Sequence, residues 1–214
     1  MSEEVPGGFG VLVPVKPIAV AKSRLAPLGD RVRRELVRVL AADTVAAALS
    51  SSAVARVLVV TDDHVLAGFL QRLGAEVLPD GASDLNESLV EAAAELSRRE
   101  PGLGGTVALC ADLPSLRPAE LTEALGVAGT HDGAFVADAA GSGTTMVSAR
   151  SLHAFRPGFG IGSRHTHLGL GLHEINEVAV PTLRRDVDTP EDLAVALTLG
   201  VGERTAAVAA SLRL

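Results

Sequence analysis

The hydrophobic pattern of this chain switches repeatedly between short apolar runs and helical spacing. Residues 11–15 are a β-branched run that reads as a buried strand, with Pro14 arguing against a fully regular interior position. Pro17 ends that run, and small residues carry the chain to Lys22-Ser23-Arg24. Helical spacing then runs from Asp30, the expected N-cap, to about residue 50, with Val32, Leu36, Val39 and Leu40 on one stripe. Asp43 falls on the same stripe, so it needs either a lysine or arginine from a loop or a partly exposed stripe edge. Further strands are predicted over 54–61, 75–78, 106–111 and from 132 to 136, with a short one at 146–148. Helices are predicted over 64–73, 87–99, 118–126, 190–199 and 203–212. Residues 1 to about 9 read as a loose start, 139–145 as a flexible polar loop, and 156–162 as a glycine-rich loop. The run 106–111 is almost wholly apolar, which predicts a central strand.

Strands alternating with helices predict an α/β fold with a mostly parallel central sheet and helices on both faces. The 214 residues suffice for one domain with a full core, and no linker or internal repeat divides them. Aromatic residues make up only 2 %, so the core must be Val, Leu and Ala. A net charge of -7 argues against a nucleic-acid-coating surface, and no stretch is long and apolar enough for a membrane span. The single cysteine, Cys110, excludes an internal disulfide and reads as a buried structural thiol. The acidic N-terminus lacks a secretory segment, so the cytoplasm is the expected location. The Asn86-Glu-Ser88 sequon is then coincidental.

Basic residues concentrate between Lys16 and Arg38. A loop carrying Lys16, Lys22 and Arg24 between a strand and a helix can grip phosphates, lysine by point charge and arginine by its planar fork. The alternative is that these are solvated loop cations. Asp112 follows the apolar strand directly, where open α/β sheets place ligand sites. Asp186 and Asp188 are two apart, so an extended segment turns both carboxylates to one side. Magnesium takes such oxygen ligands together with substrate phosphates. Against this, Asp188 could cap the helix at Pro190 while Asp186 pairs with Arg184 or Arg185. There is no P-loop, dinucleotide fingerprint, HExxH or GxSxG. His165 and His167, in a loop beside Arg164, suit surface positions or anion contacts better than a zinc site.

VPVKPIAVAKSRL, Leu85-Asn86, ADLP around Asp112, GSGTT over 141–145, FGIGS over 159–163 with His167, and DVDTPEDL over 186–193 occur in one order. Together they resemble the guanylyltransferases that activate a small phosphorylated three-carbon acid in coenzyme F-420 biosynthesis. The similarity spans nearly the whole chain, from about Val11 to Gly202. DVDTPEDL alone is similar to segments of many nucleotidyltransferases, whereas VPVKP…AKSRL with FGIGS is far more specific. Arg164 and His165 fall in a substrate-loop region that varies.

The resemblance implies a single GT-A-like, Rossmann-related nucleotidyltransferase domain over 1–214. It implies Asp112, Asp186 and Asp188 as ligands of Mg2+, and Lys16, Lys22, Arg24 and Asn86 as GTP contacts. Asp112, Lys22 and Arg24 would act in catalysis, and Thr144, Gly160 and Ser163 would hold the phospho-acid. The expected reaction moves GMP from GTP to phosphoenolpyruvate, or alternatively to 2-phospho-L-lactate, with release of pyrophosphate. A sugar-phosphate or molybdopterin nucleotidyltransferase and a non-catalytic GTP-binding module are the rival readings. No nucleic-acid or membrane partner is expected. The residues leave oligomeric state open, a homodimer included.

Overall fold

A computed structural model describes residues 7–18, 21–82 and 84–212. The chain forms β1 (Gly7–Pro14), a 3-10 segment (Ser23–Leu28), α1 (Asp30–Leu49), β2 (Val54–Val60), α2 (His64–Gln71) and β3 (Glu76–Leu78). Next come α3 (Leu85–Arg99), β4 (Leu103–Leu109), α4 (Pro118–Ala128), β5 (Gly133–Ala137) and β6 (Thr144–Ala149). A second 3-10 turn (Leu152–Ala154), α5 (Ser163–Gly169), β7 (His173–Glu174), α6 (Pro190–Leu199) and α7 (Glu203–Leu212) complete it. The expected loose start is corrected in part: residues 7–9 belong to β1, while 1–6 lie outside the described residues. Ala19 and Val20 in the basic loop, and Ser83 before α3, also lie outside them.

The strands form one seven-stranded sheet in the order β3-β2-β1-β4-β6-β5-β7, so β4 is central as its apolar run predicts. β3, β2, β1 and β4 pair in parallel, and β5 with β7 likewise; only β6 runs against its neighbours. Alternation splits the side chains between two cores. Val11 and Val13 join Val107 and Leu109 against α1, α2 and α4. Leu12 and Ala108 face the other way, onto Leu89, Ala93 and Leu96 of α3. A third cluster joins Leu25, Leu36 and Leu40 to Val187, Leu193 and Ala196, tying the segment before α6 to α1. These cores are built of aliphatic side chains with few aromatics, as the composition requires.

One expectation about a helix start is corrected, and two open alternatives are decided. Gly29, not Asp30, is the N-cap of α1; Asp30 is its first residue and binds Arg33 and Arg34 instead. Asp43 is only 5 % exposed, so it is no stripe edge. Its partners come from the far end of the chain: the Arg204 guanidinium at 3.2 Å and the Thr205 backbone N–H at 2.8 Å. The carboxylate thereby satisfies an otherwise orphaned amide in the first turn of α7. Of the two candidates for the cap of α6, Thr189 takes the role, in a reciprocal capping box with Asp192. Asp188 is left for other interactions.

Candidate functional site

The connection order changes direction between β1 and β4: β2 and β3 lie to one side of β1, and β4 to the other. That crevice at the strand ends is where open α/β sheets hold ligands. The basic loop leaves β1 there and Asp112 leaves β4 there. A cleft of about 400 Å³ opens between them, lined by Lys16, Lys22, Arg24, Asp112 and Asp188, with Val37, Leu40 and Ala41 of α1 as an apolar wall.

The three aspartates are held together by backbone as well as by position. The Val187 N–H donates to the Asp112 carbonyl at 3.0 Å, which lays segment 186–188 along the extension of β4. Val187 is fully buried, and Asp186 and Asp188 flank it on the half-buried side. Lys22 reaches into this group: its ammonium donates to Asp112 and, at 2.5 Å, to Asp188. Burial alone would pull the Lys22 pKa down, but Asp112 and Asp188 outweigh it and hold the group above the usual lysine range, so it stays charged. Lys22 has φ 54°, the only positive φ among the described non-glycine residues. A side chain in that region is strained, which fits a residue placed for its ammonium.

The charges around Lys22 do not balance. Three carboxylates face one ammonium, with Arg24 as a more distant cation, 3.7 Å from Asp188 and largely exposed. Asp112 Oδ1 is buried with no hydrogen-bond partner. The Asp186 carboxyl is pushed up to about 7, first by burial and then by Asp112 and Asp188. An orphaned buried carboxylate oxygen and a carboxyl destabilised by like neighbours both fit a hard divalent cation bound through oxygen. Burial also drives the Cys110 thiol up, in keeping with a structural residue.

A second group of side chains lies beside the first. β6 is antiparallel to β4, so its first residue, Thr144, sits next to the end of β4 that leads to Asp112. Cys110 N–H donates to the Thr145 carbonyl there at 2.9 Å. Thr144 is thus not in the flexible loop expected for 139–145 but at the start of a buried strand. Gly160 and Ser163 close a turn on each other, Ser163 N–H donating to the Gly160 carbonyl at 3.2 Å. The next amide, Arg164 N–H, donates to the Ser142 carbonyl at 3.2 Å, which draws that turn up to the start of β6. Gly160 has φ 143°, a conformation that only glycine adopts at little cost. The structure therefore brings Thr144, Gly160 and Ser163 into one neighbourhood, with Thr144 at the end of β4 that leads to Asp112.

The sequence misplaced His167. It is not in a loop but on α5, and it is fully buried. Its Nδ1 lies 2.9 Å from Thr144 Oγ1 and its Nε2 accepts the Gly158 N–H at 2.9 Å. Burial pulls its pKa down to about 4. His165 stays exposed, and Arg164 forks onto Glu174 at 3.0 Å. Asn86, expected at GTP, is joined twice to the glycine-rich loop: its Oδ1 accepts the Phe159 N–H at 2.8 Å and its Nδ2 donates to the Phe159 carbonyl at 3.1 Å.

Two further residues escaped the sequence reading. Arg33 is buried under the basic loop and donates to the Ile18 carbonyl at 3.0 Å and to that of Ala21. Asp63, which caps α2, also accepts the Ile18 N–H at 3.3 Å. Both shape the loop that presents Lys22. Helical spacing places Arg33 near the buried stripe of Leu36 and Leu40, which was the available signal. Away from this site, His131, His173 and Glu177 bring ligand atoms within 4.8 Å of one another. The two rings there are stacked at 3.7 Å and 9°, so their in-plane lone pairs run side by side instead of converging.

Comparisons with known proteins identify the family and the fold. Residues 9–214 match the sequence model of the family described as "Guanylyl transferase CofC like". A phosphoenolpyruvate guanylyltransferase of Streptomyces scabiei (strain 87.22) is 50 % identical over 208 residues, covering 94 % of this chain and 96 % of the relative. One of Thermomonospora curvata is 49 % identical over 203 residues, covering 94 % and 89 %. Among solved structures, a Desulfovibrio desulfuricans G20 protein described as a nucleotide-diphospho-sugar transferase superposes with a TM-score of 0.71. It is 18 % identical and covers 96 % of each chain, a likeness of fold.

Proposed function

Since the chain belongs to the CofC-like guanylyl transferases, we propose that it transfers GMP from GTP to phosphoenolpyruvate, giving enolpyruvoyl-diphospho-5'-guanosine and pyrophosphate, as a step toward coenzyme F-420. The observation that carries this reading is the pairing of two unlike groups at one end of the sheet: a charged cluster at Lys22 and Asp112, and a neutral group of hydroxyls and glycine at Thr144, Gly160 and Ser163. GTP lies over the strand ends, its phosphates toward Lys16, Lys22 and Arg24. The acid sits between Thr144, Gly160 and Ser163. An oxygen of its phosphate attacks the α-phosphorus of GTP in line, the bond from that phosphorus to the bridging oxygen breaks, and pyrophosphate leaves. The attacking oxygen is already anionic at neutral pH, so no residue need act as general base. The chain's part is alignment and charge neutralisation.

Asp112, Asp186 and Asp188 would hold Mg2+, which when bound neutralises phosphate charge. Lys22 keeps a fixed positive charge beside the same oxygens. Asn86 holds the loop at Phe159, and its second amide N–H is left to face the nucleotide. Among the described residues no helix is long and apolar enough to cross a membrane. A reaction that draws on GTP as donor belongs in the cytoplasm.

The relatives' names favour phosphoenolpyruvate over 2-phospho-L-lactate. Pyrophosphate release with GTP and Mg2+, run separately with phosphoenolpyruvate, 2-phospho-L-lactate and 3-phosphoglycerate, tests this, with the product mass recorded each time. The expected outcome is fastest release with phosphoenolpyruvate and a product of the matching mass. Release only with a sugar phosphate, or none with any acid, refutes the assignment.

A further inference from the structure

We infer that His167 is a positioning residue for the acid substrate: it turns the Thr144 hydroxyl into a hydrogen-bond donor and pins the glycine-rich loop at Gly158. The inference rests on the reading of Thr144, Gly160 and Ser163 as the acid pocket. It follows from the two bonds His167 makes. Gly158 N–H can only donate, so Nε2 must be the acceptor. A neutral imidazole with an unprotonated Nε2 carries its proton on Nδ1. That nitrogen must therefore donate to Thr144 Oγ1, 2.9 Å away. The Thr144 oxygen is thus an acceptor toward His167, and its own proton points elsewhere. Among the described residues no protein acceptor receives it, although Thr144 is only 6 % exposed. A buried hydroxyl whose proton lacks a partner suits an anionic oxygen of the ligand.

The surroundings keep the imidazole in this state. It is fully buried, with the Phe135 ring at 5.4 Å and the Phe159 ring edge-on at 5.7 Å. Such walls disfavour the imidazolium, and the depressed pKa of about 4 agrees, so the ring is neutral near pH 7. Gly158 must approach closely for its N–H to reach Nε2: a Cβ there would lie 2.9 Å from Thr166 Cγ2 and 3.3 Å from Nε2 itself. The next residue, Phe159, is clasped by Asn86 through both N–H and carbonyl. Two successive loop residues are therefore fixed from α5 and from α3, just before Gly160. The loop arrives at the acid already shaped, which reduces the ordering cost on binding.

Three substitutions separate the two bonds. His167→Phe keeps ring packing and removes both; His167→Asn can keep a donor near Nδ1; His167→Gln can keep an acceptor near Nε2. Steady-state kinetics should show an apparent KM for phosphoenolpyruvate raised about tenfold in His167→Phe, with KM for GTP within about twofold. His167→Asn should recover part of the acid affinity that His167→Phe loses. Thr144→Val is measured alongside. If Thr144→Val leaves the acid KM unchanged, the pocket assignment fails and this inference falls with it. If Thr144→Val raises it and His167→Phe does not, only the role of His167 is refuted. A parallel rise in both substrates' KM, tracking a lowered Tm, also refutes it. Nitrogen-correlated NMR of the imidazole in the unmutated protein at pH 7 needs no variant to fold. A neutral ring protonated at Nδ1 is expected, and a proton on Nε2, or on both nitrogens, overturns the inference.

Discussion

The two halves of the site differ in how completely their polar groups are satisfied. Around Lys22, three carboxylates share one ammonium, Asp112 Oδ1 has no partner, and Asp186 is pushed toward neutrality. Around His167, both ring nitrogens and the Phe159 backbone are paired in a set of neutral hydrogen bonds. The first region holds unbalanced charge that ligands must complete; the second is shaped in advance and leaves the Thr144 hydroxyl proton for the ligand to accept. Negative charge is left in excess where a metal ion is to bind, because the cation brings the compensating charge. A small acid brings little beyond its carboxylate and phosphate, so its pocket gains from being built in advance.

The largest effect is expected from removing a carboxylate of the unbalanced half. Asp112→Asn and Asp188→Asn should each lower turnover by more than about 100-fold, beyond what loss of an outer-shell partner costs. Thermal melts should show the variants still folded. Near-normal turnover in either would remove that residue from the metal set.

Next come the cations. Lys22→Ala and Arg24→Ala should each weaken GTP binding by roughly 1.5–3 kcal/mol in calorimetry, the worth of a charge-assisted contact. The half-buried Lys22 should stand at the upper end and the exposed Arg24 at the lower. Equal affinity in both variants and in the unmutated protein would return the loop to solvated cations.

A smaller effect sets the pH response of the preshaped half. His167 titrates lower in the fold, at about 4, than its ordinary value of 6.5. Between those values the unfolded chain binds the proton and the folded one does not, so stability should fall as pH drops through that window. Above the ordinary value this residue should contribute no slope. Denaturant melts of the unmutated protein and of His167→Phe across that range measure the difference, and identical slopes would contradict the buried neutral ring. The smallest effect concerns the backbone at Lys22. Its positive φ favours glycine, so Lys22→Gly should be more stable than Lys22→Ala by about 1 kcal/mol. The reverse order would show the strain to be absent.

The same contrast explains what could be read from the chain. Local patterns carry local facts: β4 is central because its run is apolar throughout, and α7 spans the residues its periodicity gives. Asp112 is legible at a strand end, and Asp186 with Asp188 by their two-residue spacing, but the meeting of the two sets comes from the Val187 N–H bond to the Asp112 carbonyl. What escaped depends on contacts distant in sequence. The reversal of β6, which carries Thr144 to the end of β4, comes from a hairpin with β5 that the short apolar run did not disclose. His167 looks like a surface residue between exposed neighbours, and only the packing of α5 against Phe135 and Phe159 buries it. Asp43 finds its partners 161 and 162 residues away, beyond any periodic signal. Asn86 is legible as a helix-start residue but not as the clasp on Phe159.

The charge imbalance at the three aspartates is tested most directly by titrating Mn2+ into the protein in the presence of GTP, followed by calorimetry. Saturable binding is predicted for the unmutated protein, at least tenfold weaker in Asp112→Asn and in Asp186→Asn. Equal binding in all three proteins, or none in any, would contradict the reading of these carboxylates as a cation site.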